Sequence, residues 1–174
     1  MTSTVAPSHA AHRAEPSAGP GRRRSVAVAI ALGVAVAVAA GLGGVAASSA
    51  SATYDALELP AYAPPSWLFG PVWTVLYVAM AVAAWLVWRR VGADRALLAW
   101  GVQLVFNAAW TPLFFAADAY ALALVEIVVL LAAVVVVTTV LFARRRAVAA
   151  WLMVPYVAWV AFATALNAGI VVLN

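Results

Sequence analysis

The chain has 174 residues, of which 67% are hydrophobic and only 9% charged, with a formal net charge of +4 and no cysteine. Soluble chains carry about a quarter charged residues, so this composition excludes a water-soluble globule and makes lipid the solvent. The basic residues are all arginines, held in three short clusters between apolar runs, which marks topology and speaks against a nucleic-acid-binding face; the missing thiols exclude disulfides and thiolate chemistry.

Residues 1–24 are rich in Ala, Ser, Pro, Gly and Arg without apolar periodicity, which predicts a disordered cytoplasmic tail. His9 and His12 within it have no further ligands nearby, so no metal site is expected. An uncharged Ala/Val-rich run over 25–47 is long enough, at about 1.5 Å per residue, to cross a hydrocarbon core of about 30 Å. Arg22–Arg24, this run and the small residues of SSASA also fit a signal peptide with its cleavage site. The run exceeds the usual 7 to about 15 residues of such a segment, which favours a retained first helix. Residues 48–66 carry Asp55, Glu58, Pro60, Pro64 and Pro65 and no base, and read as an external loop. Four further apolar spans follow at about 68–88, 96–115, 120–142 and 147–173.

The expected fold is therefore an all-α integral membrane protein, a five-transmembrane-helix bundle over 25–174. The spans are about twice the length of a barrel strand, which excludes a β-barrel. With five helices, the tail arginines, Arg89, Arg90 and Arg95 after helix 2, and Arg144, Arg145 and Arg146 after helix 4 all fall on one side. Because cytoplasmic loops hold the excess of Arg and Lys, the N-terminus is expected in the cytoplasm and the C-terminus outside.

Helix direction gives each ring a depth. Trp85, Trp88, Trp100 and Trp151 fall near the cytoplasmic helix ends, and Trp67 and Tyr62 near the outer boundary, where belt or packing roles suffice. Trp73 and Tyr77 share one face of helix 2 in the outer half. Asn107, Trp110 and Phe114, at i, i+3 and i+7, share a face of helix 3 at the same level. On helix 5, Trp159 lies near mid-membrane with Ala163 and Asn167 above it on one stripe. An amide in hydrocarbon needs a partner, so both asparagines should face the bundle or a cavity. Glu126 on helix 4 is an intramembrane carboxylate, read either as a structural hydrogen-bonding group or as a functional cavity residue. Together these positions outline an apolar pocket with a few polar groups, capped by the Pro-rich loop and suited to a flat aromatic ligand. No Ser/His/Asp set, phosphate-cradling glycine loop or row of paired acids and bases is present, so metal, nucleophilic and phosphoryl chemistry have no visible machinery.

Three segments carry a resemblance: PPSWLFGPVWTVLYVAMAVAAWLVW from Pro64, QLVFNAAWTPLFF from Gln103 and PYVAWVAFATALN from Pro155. They resemble the signature segments of the TspO/MBR family, the tryptophan-rich sensory proteins and the mitochondrial translocator protein, over about residues 53–174; helix 1 matches only in character. The resemblance implies a five-helix bundle, commonly a homodimer, in the cell membrane. It implies no intrinsic cofactor, and protoporphyrin IX or haem-related tetrapyrroles as ligands beneath the loop after helix 1. It puts the family's cavity tryptophans and asparagines on Trp73, Asn107, Trp110, Trp159 and Asn167, its small contact position on Ala163, and the lid on the segment holding Tyr54, Tyr62, Pro64 and Pro65. The chain departs in having Thr53-Tyr54 where the family often has Trp-Tyr, Leu122 where mammalian members carry a tryptophan, and no cholesterol-recognition pattern after helix 5. The implied function is a porphyrin receptor or sensor influencing tetrapyrrole handling. A light- and oxygen-dependent porphyrin-degrading enzyme and a transporter of porphyrin or another amphiphile are the alternatives; the lack of an internal repeat and the small number of spans speak against transport.

Overall fold

The computed structural model describes residues 21–46 and 50–174. Most of the expected tail, with His9, His12 and Arg13, lies outside the described residues, as do Ala47 at the end of the first apolar run and Ser48 and Ser49 after it. Helix α1 (Arg22–Ala46) starts on the arginines assigned to the tail, in keeping with the good helix propensity of Arg. The segment expected as loop contains a short helix, α2 (Ala50–Ala56), and a single 3-10 turn, Ser66–Leu68. A helix of 7 residues is too brief to leave a readable apolar period. There follow α3 (Phe69–Val91), α4 (Arg95–Thr111), α5 (Tyr120–Val129), α6 (Val136–Arg145) and α7 (Ala147–Leu173).

Five stretches are long and apolar enough to cross a membrane: Arg22–Val45, Ser66–Val91, Arg95–Ala116, Tyr120–Arg145 and Ala147–Leu173. The fourth joins α5 and α6 through a π-helical segment, Leu130–Val135. A second π segment, Pro112–Ala116, prolongs α4 and has a local cause. Pro112 has no N–H to donate, so the ladder is interrupted there and the turn widens until the Ala117 N–H donates to the Pro112 carbonyl at 3.0 Å.

The tight link between α3 and α4 is built from two residues. Gly92 adopts φ +74, a left-handed region that suits glycine, and its N–H donates to the Trp88 carbonyl at 2.7 Å to close α3. Asp94 then caps α4: its Oδ1 accepts from the N–H groups of Ala96 and Leu97 at 2.9 and 3.4 Å. Its other oxygen lies 2.8 Å from Arg145 Nε, tying the start of α4 to the end of α6.

Helix α7 packs against α3 and against α5 and α6, while α1 lies on α3 and α4. At the arginine end, Ala83, Ala84, Ala96 and Ala149 are fully buried and let the helix backbones approach closely, with Met80, Phe142 and Met153 filling the gaps. Trp88 and Trp100 are buried in this packing, whereas Trp67 and Trp151 are exposed at belt positions. Helix α1 turns Val26, Ile30, Val34 and Val38 outward, a stripe with i, i+4 spacing for lipid, and buries Val36 and Ala39.

Candidate ligand-binding cavity

At the opposite end of the bundle, under α2, the packing opens into a cavity of about 300 Å³. Its walls follow from residue size along each helix. Helix α1 contributes only Ala40, Gly43 and Gly44; α3 contributes Phe69, Trp73 and Tyr77; α4 contributes Asn107, Trp110 and Thr111. Phe114 and Phe115 enter from the π segment, Ile127 and Leu130 from the fourth span, and Trp159, Val160, Ala163, Leu166, Asn167 and Ile170 from α7. All eight residues expected to surround the ligand (Trp73, Tyr77, Asn107, Trp110, Phe114, Trp159, Ala163 and Asn167) line this one space.

The rings form two clusters. On the α3/α7 side, Trp73 meets Tyr77 at 5.4 Å between centroids and Trp159 edge-on at 6.5 Å, and Phe69 meets Trp159 at 5.9 Å. On the α4 side, Trp110 stacks on Phe114 at 4.9 Å and 28°. Two amides brace one cluster to the other. Asn107 Oδ1 accepts from the Tyr77 hydroxyl at 2.8 Å, and Asn167 Oδ1 accepts from the Trp110 indole N–H at 3.3 Å. Asn167 Nδ2 donates to the Tyr120 carbonyl at 3.0 Å, so this amide holds three segments together. Both asparagines are buried, and their hydrogen bonds remove the cost of placing amides in hydrocarbon.

Glu126 is not among the lining residues, although the adjacent Ile127 is. Its two carboxylate oxygens are buried and have no hydrogen-bond partner among the described residues. Of the lid residues, Tyr54 is buried and reaches the cavity, whereas Tyr62, Pro64 and Pro65 do not line it. They hold the cover in place instead. The Tyr54 hydroxyl donates to the Pro64 carbonyl at 3.0 Å, and the Tyr62 hydroxyl donates to the Ala165 carbonyl of α7 at 2.8 Å. Burial, and next the charge of Asp55, push the Tyr54 phenol above its ordinary value of 10.0, so it remains a donor at neutral pH.

Several residues were not among those expected. Asn174 clamps the lid to the end of α7: its Oδ1 accepts from the Glu58 N–H and its Nδ2 donates to the Glu58 carbonyl, both at 3.1 Å. Gly169 is needed beneath the lid, since a Cβ there would stand 2.8 Å from Tyr62 Oη and 3.0 Å from Pro60 Cγ. Gln103 and Tyr156 are buried behind Asn107: the Tyr156 hydroxyl accepts from Asn107 Nδ2 and donates to Gln103 Oε1. Gln103 carries the same signal as Asn107, an amide in an apolar run one turn away on the same face. No comparable signal marks Asn174 or Gly169, because lid contacts depend on tertiary placement.

Five spans whose lid-end half surrounds an aromatic, amide-braced cavity define a polytopic helical membrane protein. A family model described as the TspO/MBR family matches residues 29–173, and the chain belongs to that family. The match begins inside α1, ahead of residue 53 where the motif resemblance starts, and α1 supplies part of the cavity wall. The chain is 40% identical over 119 residues to the translocator protein of Homo sapiens, covering 66% of this chain and 70% of that one. It is 39% identical over 114 residues to the tryptophan-rich sensory protein of Cereibacter sphaeroides, covering 66% and 72%. It is 32% identical over 130 residues to the tryptophan-rich protein TspO of Archaeoglobus fulgidus, covering 74% and 84%.

Proposed function

We propose that this protein is a membrane receptor or sensor that binds porphyrins of the protoporphyrin IX kind in the lid-end cavity and thereby influences tetrapyrrole handling. The observation that carries the reading is the pair of aromatic clusters around one space, with Trp73 and Trp159 on one side and Trp110 on the other. Flat π-systems stack on such rings with little loss of side-chain freedom. The name of the Cereibacter sphaeroides relative, a tryptophan-rich sensory protein, supports the sensor half of the reading. At about 300 Å³ the cavity stands at the lower end of small-molecule sites, so entry of a whole macrocycle requires the lid to move. The family resemblance extends the proposal to a homodimer in the cell membrane, with the arginine end in the cytoplasm.

The test is titration of the detergent-solubilised full chain with protoporphyrin IX. Tryptophan fluorescence is expected to be quenched, and replacing Trp73, Trp110 and Trp159 together by Leu is expected to weaken the apparent affinity at least about tenfold, given stacking worth about 0.5–1.5 kcal/mol per ring. Unchanged affinity in the triple variant would sink the site. A second reading, photo-oxidative breakdown, draws on the edge contact of Trp73 with Trp159 beside the proposed guest. Porphyrin would be sensitiser and substrate, and molecular oxygen the oxidant. In illuminated, aerated samples it requires bleaching faster with protein than without it.

A further inference from the structure

Behind the cavity wall, four hydrogen bonds link five side chains in a single direction. The Tyr77 hydroxyl donates to Asn107 Oδ1 at 2.8 Å, Asn107 Nδ2 donates to Tyr156 Oη at 3.3 Å, and the Tyr156 hydroxyl donates to Gln103 Oε1 at 2.8 Å. The run ends where Gln103 Nε2 donates to the thioether sulfur of Met80 at 3.5 Å. Met80, Gln103 and Tyr156 are fully buried, and only Tyr77 and Asn107 reach the cavity.

The direction follows from the buried end. A carboxamide can be turned end for end, so neither amide fixes it alone. A thioether accepts weakly and donates nothing. Gln103 therefore turns its NH₂ to Met80 and its carbonyl to Tyr156. Each phenol has one proton. Tyr156 commits its proton to Gln103 and can only accept from Asn107. Asn107 then presents its carbonyl to Tyr77, which commits its own proton in turn. Were Gln103 reversed, two acceptors would face each other at Met80, every bond in the run would invert, and Tyr77 would have a free proton.

We propose that Met80, Gln103 and Tyr156 are positioning residues that fix Tyr77 as a hydrogen-bond acceptor, so that the cavity selects flat aromatic guests carrying an N–H or O–H donor at that edge. This deepens the proposed function and rests on the cavity being a ligand site. The donor class covers neutral carboxylic acids, pyrrole-type N–H groups and amides. It disfavours guests that offer only an ether or carbonyl oxygen there, because two acceptors would then be desolvated against each other.

Two flat tricyclic probes of nearly equal shape test this: carbazole, which offers an N–H, and dibenzofuran, which offers an oxygen. In calorimetric titrations of the full chain, carbazole is expected to bind about tenfold more tightly than dibenzofuran. The Met80→Leu variant keeps core volume but removes the acceptor that orients Gln103, and should bring the ratio toward one. Adding Gln103→Met should restore the preference, because a thioether in that place can accept from Tyr156 but cannot donate to it. A merely structural defect would weaken both probes together and leave their ratio alone. Binding of neither probe, dibenzofuran as tight as carbazole in the parent chain, or an unchanged ratio in Met80→Leu overturns the inference. Loss of porphyrin quenching with the carbazole preference intact would instead remove porphyrin as the guest and leave the acceptor role of Tyr77 standing.

Discussion

The two ends of the bundle solve the same packing problem in opposite ways. At the arginine end the helices meet over alanines that are fully buried, Ala83, Ala84, Ala96 and Ala149, and the space closes. At the lid end the same helices carry Trp73, Tyr77, Trp110 and Trp159, and bulky rings braced by amides hold the helices around a cavity of about 300 Å³. Small residues give backbone contact without polar glue. Large rings keep helices apart, and Asn107 and Asn167 hold two of the rings that frame the gap, Tyr77 and Trp110.

The largest expected effect separates the two ends with one substitution type. Ala84→Phe forces a ring into closed packing and should cost about 3 kcal/mol or more, seen as lost yield and a markedly lower midpoint in thermal unfolding of the detergent-solubilised protein. Ala163→Phe places the same ring against the cavity, where Ala163 is a wall residue. It should leave the midpoint within a few degrees yet weaken protoporphyrin IX at least about tenfold by filling the site. Equal destabilisation by the two variants would mean that the lid end is as closed as the arginine end.

How much of this was legible in the sequence divides along the same line. The spans and the shared depth of Trp73, Trp110 and Trp159 follow from apolar run length, arginine placement and helix periodicity, all local properties. The lining role of Asn107 and Asn167 follows from the cost of an unpaired amide in lipid. What was not legible depends on which neighbour a side chain finds. Glu126 has the same depth logic as the asparagines, yet it lies off the cavity wall. Helix α1 also fits a signal sequence because Arg22–Arg24, its apolar run and the small residues of SSASA are local features; only the fold brings Gly43 against Thr111 and makes Gly43 and Gly44 part of the cavity wall. The short α2 is too brief to show a period, and the Glu58–Asn174 clamp joins residues 116 apart in sequence, which no periodicity encodes.

An intermediate effect concerns how the lid end is closed. Gly169→Ala puts a methyl group where Tyr62 Oη and Pro60 Cγ now lie, so the Tyr62 bond to the Ala165 carbonyl must break and the lid must shift. Stopped-flow mixing should show protoporphyrin IX associating about three- to tenfold faster, the equivalent of one net hydrogen bond, with little change in unfolding midpoint. Tyr62→Phe removes the bond without the crowding and should give the smaller part of that increase. If neither variant alters the association rate, the guest reaches the cavity by a route that avoids the lid.

The smallest effect is a pH dependence confined to the lid. Tyr54 donates to the Pro64 carbonyl only while protonated, and burial and Asp55 raise its folded pKa above 10.0. With the folded pKa above the unfolded one, the native lid binds the proton more tightly. Its contribution is complete below pH 10.0 and is lost as pH rises through the raised value. The association rate of protoporphyrin IX should therefore be flat through neutral pH and climb about threefold in the alkaline range, as expected for loss of one modest hydrogen bond. In Tyr54→Phe the rate should start at the higher level and stay there, because the titrating group is gone. An alkaline rise of equal size in Tyr54→Phe would assign the effect to another group and leave the lid held by its contacts with α7.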